Sequence, residues 1–171
     1  MRASYAELGH MRALADGLDA ISPERLTLYL DSPADLEVTG SPRLVAWISM
    51  DVPDTDFAAV LYEVLPDGRV IVLSSEANRA RYRNPLRQAE LVEPGTIYRY
   101  EFDRSRFFSR RLSKGSQLRL VVHSPNSIYL QKNYSSGGVV AEETASDAQM
   151  AHITLHHDAE RPNFLELPIA R

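Results

Sequence analysis

Three carboxylates lie within six residues, at Asp51, Asp54 and Asp56. Carboxylate oxygens at this density could coordinate a hard cation such as calcium. The EF-hand spacing is not met, however, and aspartates in a turn before a strand commonly accept backbone N–H bonds. The sequence therefore predicts a structural turn and no metal, with a calcium site on these three residues as the alternative.

Histidines cluster near the C-terminus, at His152, His156 and His157, followed by Asp158. On a strand, His152 and His156 share a face, but their Cα atoms are about 13 Å apart. Both rings could hardly reach one zinc ion at about 2.1 Å from that separation. We therefore interpret them as polar residues of a strand and its ends.

Serine chemistry has no local signature in this chain. The G-x-S-x-G pentapeptide that places a nucleophilic serine between a strand and a helix does not occur. Walker and G-x-G-x-x-G phosphate loops are also missing, and the lack of cysteine excludes thiol nucleophiles and thiolate zinc sites. The sequence predicts no catalytic residue and no cofactor for this chain alone.

Arginines and a tyrosine form the run RARYR at 79–83. Such a mixture could stack on bases and neutralise phosphates, but protein interfaces are enriched in the same residues. The net charge of −4 argues against nucleic acid, and 17 of the 19 basic residues are arginine, which indicates a GC-rich coding bias. We therefore predict that Arg79, Arg81, Tyr82 and Arg83 contact another protein or domain.

The elements that must position these residues are mainly short strands. Apolar positions at three- and four-residue steps predict a helix over 5–21, within an N-terminal helical extension of residues 1–24. Residues 25–171 are predicted to form a β-sandwich domain with a long surface loop at 125–147. The predicted strands are 26–30, 35–39, 43–50, 57–65, 69–73, 96–102, 107–112, 116–123, 151–157 and 164–168.

Two of these strands, 43–50 and 57–65, carry apolar residues on both faces. A strand with one face in water alternates apolar and polar residues, so both faces of these two should be covered. One face can pack on an opposing sheet. The other is expected to lie beneath the helix 5–21, the long loop or another domain.

The cellular location is constrained by what the chain lacks. No run of 18 apolar residues could span a bilayer, and the first residues contain no apolar core of a secretory signal. The sequence predicts no membrane contact and a cytoplasmic location.

Several segments, in order and spacing, resemble the C-terminal domain of the X-Pro dipeptidyl-peptidase and cocaine-esterase-like acyl hydrolases. They are DLEVTG at 35–40, DVPDTDF at 51–57, LPDGR at 65–69 and RARYR at 79–83. EPG at 93–95, the Lys114-Gly115 turn, Asn133 ahead of Gly137-Gly138, and LP at 167–168 extend the resemblance over residues 26–169. It implies an all-β, jelly-roll β-sandwich of the galactose-binding-like type.

The resemblance also implies a partner. In this family the sandwich packs against an α/β-hydrolase domain that cleaves amide or ester bonds with a serine nucleophile. The catalytic triad lies in that domain, for which there is no sequence here, so no catalytic residue carries over. We expect a non-catalytic accessory domain that supports and borders a hydrolase cleft, its partner being that domain or chain, or a second copy of itself. The alternative is a stand-alone module that binds carbohydrate or another small ligand.

Overall fold

The computed structural model of the protein describes residues 2–3, 25–31, 35–84, 88–125 and 127–170. The predicted helix over 5–21 lies outside the described residues. No helix among those described has the length and apolar character to cross a bilayer. The strands are β1 Arg2–Ala3, β2 Arg25–Asp31, β3 Leu36–Gly40, β4 Arg43–Met50, β5 Asp56–Val64, β6 Val70–Arg79, β7 Tyr98–Phe102, β8 Phe108–Leu112, β9 Gln117–His123, β10 Ile153–His156 and β11 Phe164–Pro168.

The strands form an all-β sandwich of antiparallel sheets, which confirms the predicted fold class. One sheet has the order β2-β9-β5-β6, and the other has the order β1-β11-β4-β10 with β7 also paired to β4. Strands β3 and β8 form a separate pair. All ten predicted strands are present, whereas β1, which pairs with Leu167 and Pro168, is not predicted from the sequence.

The β5–β6 hairpin turns at residues 66–68, as predicted. Gly68 has a φ of 84°, and its N–H donates to the carbonyl of Leu65 at 2.9 Å. Glycine adopts this positive φ without a steric penalty. β6 continues to Arg79, well beyond the predicted end at residue 73, because its pairing with β5 extends to Asp56.

β10 and β11 lie end to end along one edge of β4, and residues 157–163 leave the sheet between them. Asn163 closes this gap. Its Oδ1 accepts the N–H of Trp47 at 2.8 Å, and its Nδ2 donates to the carbonyl of His156 at 2.8 Å. A side-chain amide thus satisfies backbone groups that the interruption would leave unpaired.

The hydrophobic core lies between the sheets. Phe57 of β5 meets Tyr100 of β7 edge to face, with ring centroids 5.3 Å apart, and so joins the two sheets. Around this pair pack buried apolar side chains from both sheets, among them Leu44, Ile48, Met50, Leu61, Phe102, Leu118, Leu120 and Leu165.

The opposite faces of β4 and β5 are also covered. Val45 and Ala58 point away from the core yet are buried, and Trp47 and Val60 are half-buried. This confirms the prediction drawn from their doubly apolar pattern. Cover by the helix 5–21 or by another domain stays a prediction.

Candidate functional site

The segment before β5 and the 3-10 turn Ala80–Tyr82 after β6 lie side by side. In the hairpin Asp56 pairs with Arg79, and the same antiparallel register, carried two residues further, brings Asp54 to Arg81. The N–H of Ala80 donates to the carbonyl of Thr55 at 2.8 Å and ties the two segments together. Hairpin register therefore sets which aspartate meets which arginine.

Asp54 is completely buried and forms an ion pair with Arg81. Its Oδ1 accepts the backbone N–H of Arg81 at 2.9 Å, and its Oδ2 accepts the Nε–H of the same residue at 2.7 Å. The Arg81 side chain is only 11% exposed. Charge-assisted hydrogen bonds with this geometry offset the free-energy cost of removing the two charged groups from water. Either group alone would be a buried charge without a partner.

Asp56 forms a second ion pair, with Arg79. Arg79 Nε donates to Oδ1 at 2.7 Å and Nη2 donates to Oδ2 at 3.1 Å. The hydrogen bonds to Asp56 raise the pKa of Arg79 above its ordinary value. This bidentate pair is less buried than the Asp54 pair but continues the same charged row.

Asn133 bridges the two ion pairs. Its Nδ2 donates to Asp54 at 2.7 Å and to Asp56 at 3.0 Å, while its Oδ1 accepts the N–H of Ser135 at 2.8 Å. We call Asp54, Asp56, Arg79, Arg81 and Asn133 the Asp54 anchor. It fastens the loop between β9 and β10 to the end of the β5–β6 hairpin.

The loop is held at a neighbouring point by Pro53. Gly137, at a φ of 82°, lies so close that an added Cβ would sit 2.8 Å from Pro53 Cγ. Ser135 also donates from Oγ to Thr55 Oγ1 at 3.3 Å. The predicted surface loop is therefore fixed to the sandwich over residues 133–137.

Arg83 is directed into the domain as well. Its guanidinium carbon lies 4.1 Å from the centroid of the Tyr98 ring, and Nη1 donates to the carbonyl of Glu90 at 2.6 Å. Arg79, Arg81 and Arg83 therefore make close contacts within this chain, and Tyr82 is half-buried. Their predicted role in contacting another protein stays a prediction.

The carboxylates proposed for the calcium alternative do not share one site. Asp51 pairs with His152, whose Nδ1 lies 2.6 Å from Asp51 Oδ2, whereas Asp54 and Asp56 are occupied by arginine and asparagine donors. In the part of the chain that the structure describes, no group of three acidic, histidine or cysteine side chains could hold a metal ion. The sequence predicted that Asp54 would accept a backbone N–H from a residue of its own turn. Asp54 instead accepts the backbone N–H of Arg81, 27 residues away.

The histidines have separate partners. Ser49 Oγ lies 2.8 Å from His156 Nε2, but the carboxylate of Asp51 pairs with His152 instead. His157 is exposed, with Nδ1 3.4 Å from Asn163 Nδ2. A catalytic triad needs the carboxylate on the histidine that contacts the serine, and these contacts do not provide that order.

The outer face of the β4 sheet carries a partly exposed ionic network. Arg43 donates to Glu101 at 2.9 Å and to Glu166 at 3.0 Å, and Arg99 also pairs with Glu101. Hydrogen bonds from Arg43, and then from Arg99, hold the pKa of Glu101 below its ordinary value. Such a carboxylate stabilises the fold above its unfolded pKa, about 4.3, and this contribution is lost as the pH falls through the folded pKa.

We expect Glu101→Gln to flatten the acid side of the stability profile. Urea unfolding from about pH 6 to about pH 3 should show a smaller loss of unfolding free energy in the variant, by less than about 1 kcal/mol, since these groups are about one-third exposed. Glu93→Gln, at an exposed position, is the matched control. A Glu101 variant with the wild-type slope would contradict the assignment.

Comparison with known proteins gives a consistent result. Residues 31–166 match the model of the X-Pro dipeptidyl-peptidase C-terminal non-catalytic domain. Over 136 residues the chain is 35% identical to the cocaine esterase of Rhodococcus sp. (strain MB1 Bresler), a match that covers 80% of this chain and 24% of the esterase.

Solved structures of low sequence identity share the fold. An aminopeptidase from a marine sediment archaeon, Thaumarchaeota archaeon, matches 91% of this chain with 27% of its own, at a TM-score of 0.82 and 20% identity. An alpha-amino acid ester hydrolase matches 96% of this chain with 28% of its own, at a TM-score of 0.81 and 19% identity. The chain thus spans about a quarter of the length of these relatives. With most of its length matched by the family model, the protein belongs to the X-Pro dipeptidyl-peptidase C-terminal non-catalytic domain family.

Proposed function

We propose that this domain serves as the accessory domain of a serine acyl hydrolase or peptidase, packing against an α/β-hydrolase domain and bordering its substrate cleft. The observation that carries the proposal is the extent of the match: this chain corresponds to only 24% of a cocaine esterase. The family that matches this chain is a non-catalytic domain, which supports the assignment of catalysis to another domain.

The geometry of the polar residues supports a structural role. Asp54, one of two charged residues with no exposed surface in the described part of the chain, holds the loop between β9 and β10. The serine, histidine and carboxylate groups described above are paired in ways that leave no histidine between a serine and an acid. Chemistry would then be supplied by the hydrolase domain.

A direct assay tests the non-catalytic part of the proposal. The purified chain is incubated with X-Pro-p-nitroanilide and short acyl esters, and separately with a fluorophosphonate probe that labels active serines. We expect neither turnover nor label, with an intact serine esterase as the positive control. A labelled serine accompanied by turnover would overturn the proposal, and Ser49→Ala would then identify or exclude the serine beside His156.

Two finer assignments belong to the same proposal. The sandwich is of the galactose-binding-like jelly-roll type, which the order of antiparallel strands supports. The domain works in the cytoplasm, a reducing compartment compatible with a chain that has no cysteine to form disulfides.

A further inference from the structure

Exposed apolar side chains are concentrated on one loop. Of the large apolar residues that are exposed in the described part of the chain, five lie between β9 and β10: Ile128, Tyr129, Leu130, Val139 and Met150. Single exposed apolar residues are normal on a soluble protein, whereas a contiguous exposed patch marks an interaction site, and Ile128, Tyr129 and Leu130 are consecutive. Ile128 and Tyr129 stand out, with 93% and 89% of their surface in solvent.

These two residues are held in a defined turn. The N–H of Leu130 donates to the carbonyl of Ser127 at 3.2 Å, and the N–H of Tyr129 donates to Ser127 Oγ at 3.2 Å. We call Ile128, Tyr129 and Leu130 the loop tip. The side chains of Ile128 and Tyr129 contribute nothing to the core, since solvent surrounds both almost completely.

The Asp54 anchor fixes the loop tip from its C-terminal side. Asn133, three residues after Leu130, is bonded to both aspartates of the anchor, and Lys132 lies over the Tyr134 ring at 4.9 Å. On the N-terminal side the tip follows β9, which ends at His123. A loop ordered in advance loses less conformational entropy when it binds, so the buried anchor favours docking of the tip.

The charge of the tip indicates the chemistry of its partner. Residues 124–134 contain no aspartate or glutamate and one lysine, in a chain whose net charge is −4. A segment free of acidic groups does not match a basic surface. Its apolar side chains match a neutral apolar pocket on a folded protein, where tyrosine is a frequent contributor to binding energy.

We propose that Ile128 and Tyr129 are the side chains with which this domain docks into an apolar pocket of its hydrolase domain. This inference rests on the proposed function and adds to it the surface that makes the contact. The partner we infer is a hydrolase domain, because the relatives with about three-quarters of their length outside the matched region are an esterase, an aminopeptidase and an ester hydrolase, and domains of one chain commonly share an interface.

Photo-crosslinking in the cells that encode the protein tests the contact. A benzoylphenylalanine replaces Tyr129 in the full protein, and the cross-linked peptides are identified by mass spectrometry. We expect them to come from an α/β-hydrolase sequence, in the same polypeptide or another. The matched control places the same group at Val72, which is exposed on β6, and should give no hydrolase cross-link.

A second variant measures the energy of the contact. Ile128→Asp should reduce the Tyr129 cross-link about 30-fold, as expected for a binding hot spot. Val72→Asp should leave the cross-link unchanged. Because both positions are exposed in this chain, thermal melts of the purified chain should be the same for either variant and the wild type.

The outcomes separate the inference from the proposed function. Hydrolase cross-links from position 72 and none from position 129 would overturn the docking surface and leave the accessory role standing. Cross-links from position 129 to a second copy of this chain would overturn the choice of partner. No hydrolase cross-link from either position would overturn the docking surface, and co-purification of a hydrolase would then decide whether the accessory role survives.

Discussion

Asp54→Ala is expected to lower the free energy of unfolding by about 3–5 kcal/mol. The carboxylate is completely buried and pairs with a guanidinium that is 11% exposed. Removing it leaves the Arg81 charge without its partner in a position from which water is largely excluded. The same substitution removes one of the two acceptors of Asn133, so the loop between β9 and β10 should also become more mobile.

Urea denaturation and amide hydrogen exchange measure these two effects. The matched control is Asp67→Ala, which removes an aspartate–arginine pair of the same 2.7 Å length from an exposed turn and should change stability by less than about 1 kcal/mol. The double variant Asp54→Ala/Arg81→Ala should lose less than the sum of the two single variants, because each group is costly when buried alone. Equal losses for Asp54→Ala and Asp67→Ala would contradict the structural role of the anchor.

Phe57→Ala is expected to destabilise the domain by about 3–5 kcal/mol through a cavity between the two sheets. Phe57 is buried and lies edge to face with Tyr100 of the opposing sheet. The substitution removes both the apolar contact area and the aromatic pair. For a domain of this size, the melting temperature should fall by roughly 6–20 °C.

Thermal melting followed by circular dichroism provides the measurement. Phe107→Ala is the matched control, since the same ring is deleted where it is 68% exposed, and it should alter the melting temperature little. Phe57→Leu should retain most of the stability, because it keeps most of the apolar volume. If Phe57→Ala melted like the control, the two sheets would not share the core described here.

The strand positions follow from local patterns. The predicted strands at 43–50 and 164–168 coincide with β4 and β11, and the turn at 66–68 joins β5 to β6. Each is a run of apolar or β-branched residues bounded by turn residues, and these preferences act over a few neighbours. The doubly apolar pattern of β4 likewise predicted its burial on both faces, as Val45 shows.

The second half of β6, residues 74–79, was not predicted from local patterns. Ser74, Glu76 and Asn78 are poor strand formers by composition, yet they point inward. Their side chains bond to the backbone of residues 101, 104 and 106, more than 20 positions away. Burial raises the pKa of Glu76, as expected for a carboxylate on the inner side of a strand.

The contacts of Asn163 and Asn133 could likewise not be predicted from local sequence patterns. Asn163 bonds to the backbone groups left without a partner between β10 and β11, and Asn133 bridges two ion pairs. A lone asparagine between strands has the composition of any loop residue. The spacing of Asn133 ahead of Gly137-Gly138 contributed to the family resemblance, but its contact with Asp54 and Asp56 could not be foreseen.

The fold class and family of this protein could thus be derived from its residues in order, because strand propensity, turn residues and motif spacing are properties of short segments. The direction in which a charged side chain points could not. The run at 79–83 predicts a contact surface, and that role stays a prediction, but the run does not reveal that the register of the β5–β6 hairpin directs Arg79 and Arg81 toward Asp56 and Asp54. That choice depends on pairing between distant residues, which exists only once the sheets have formed.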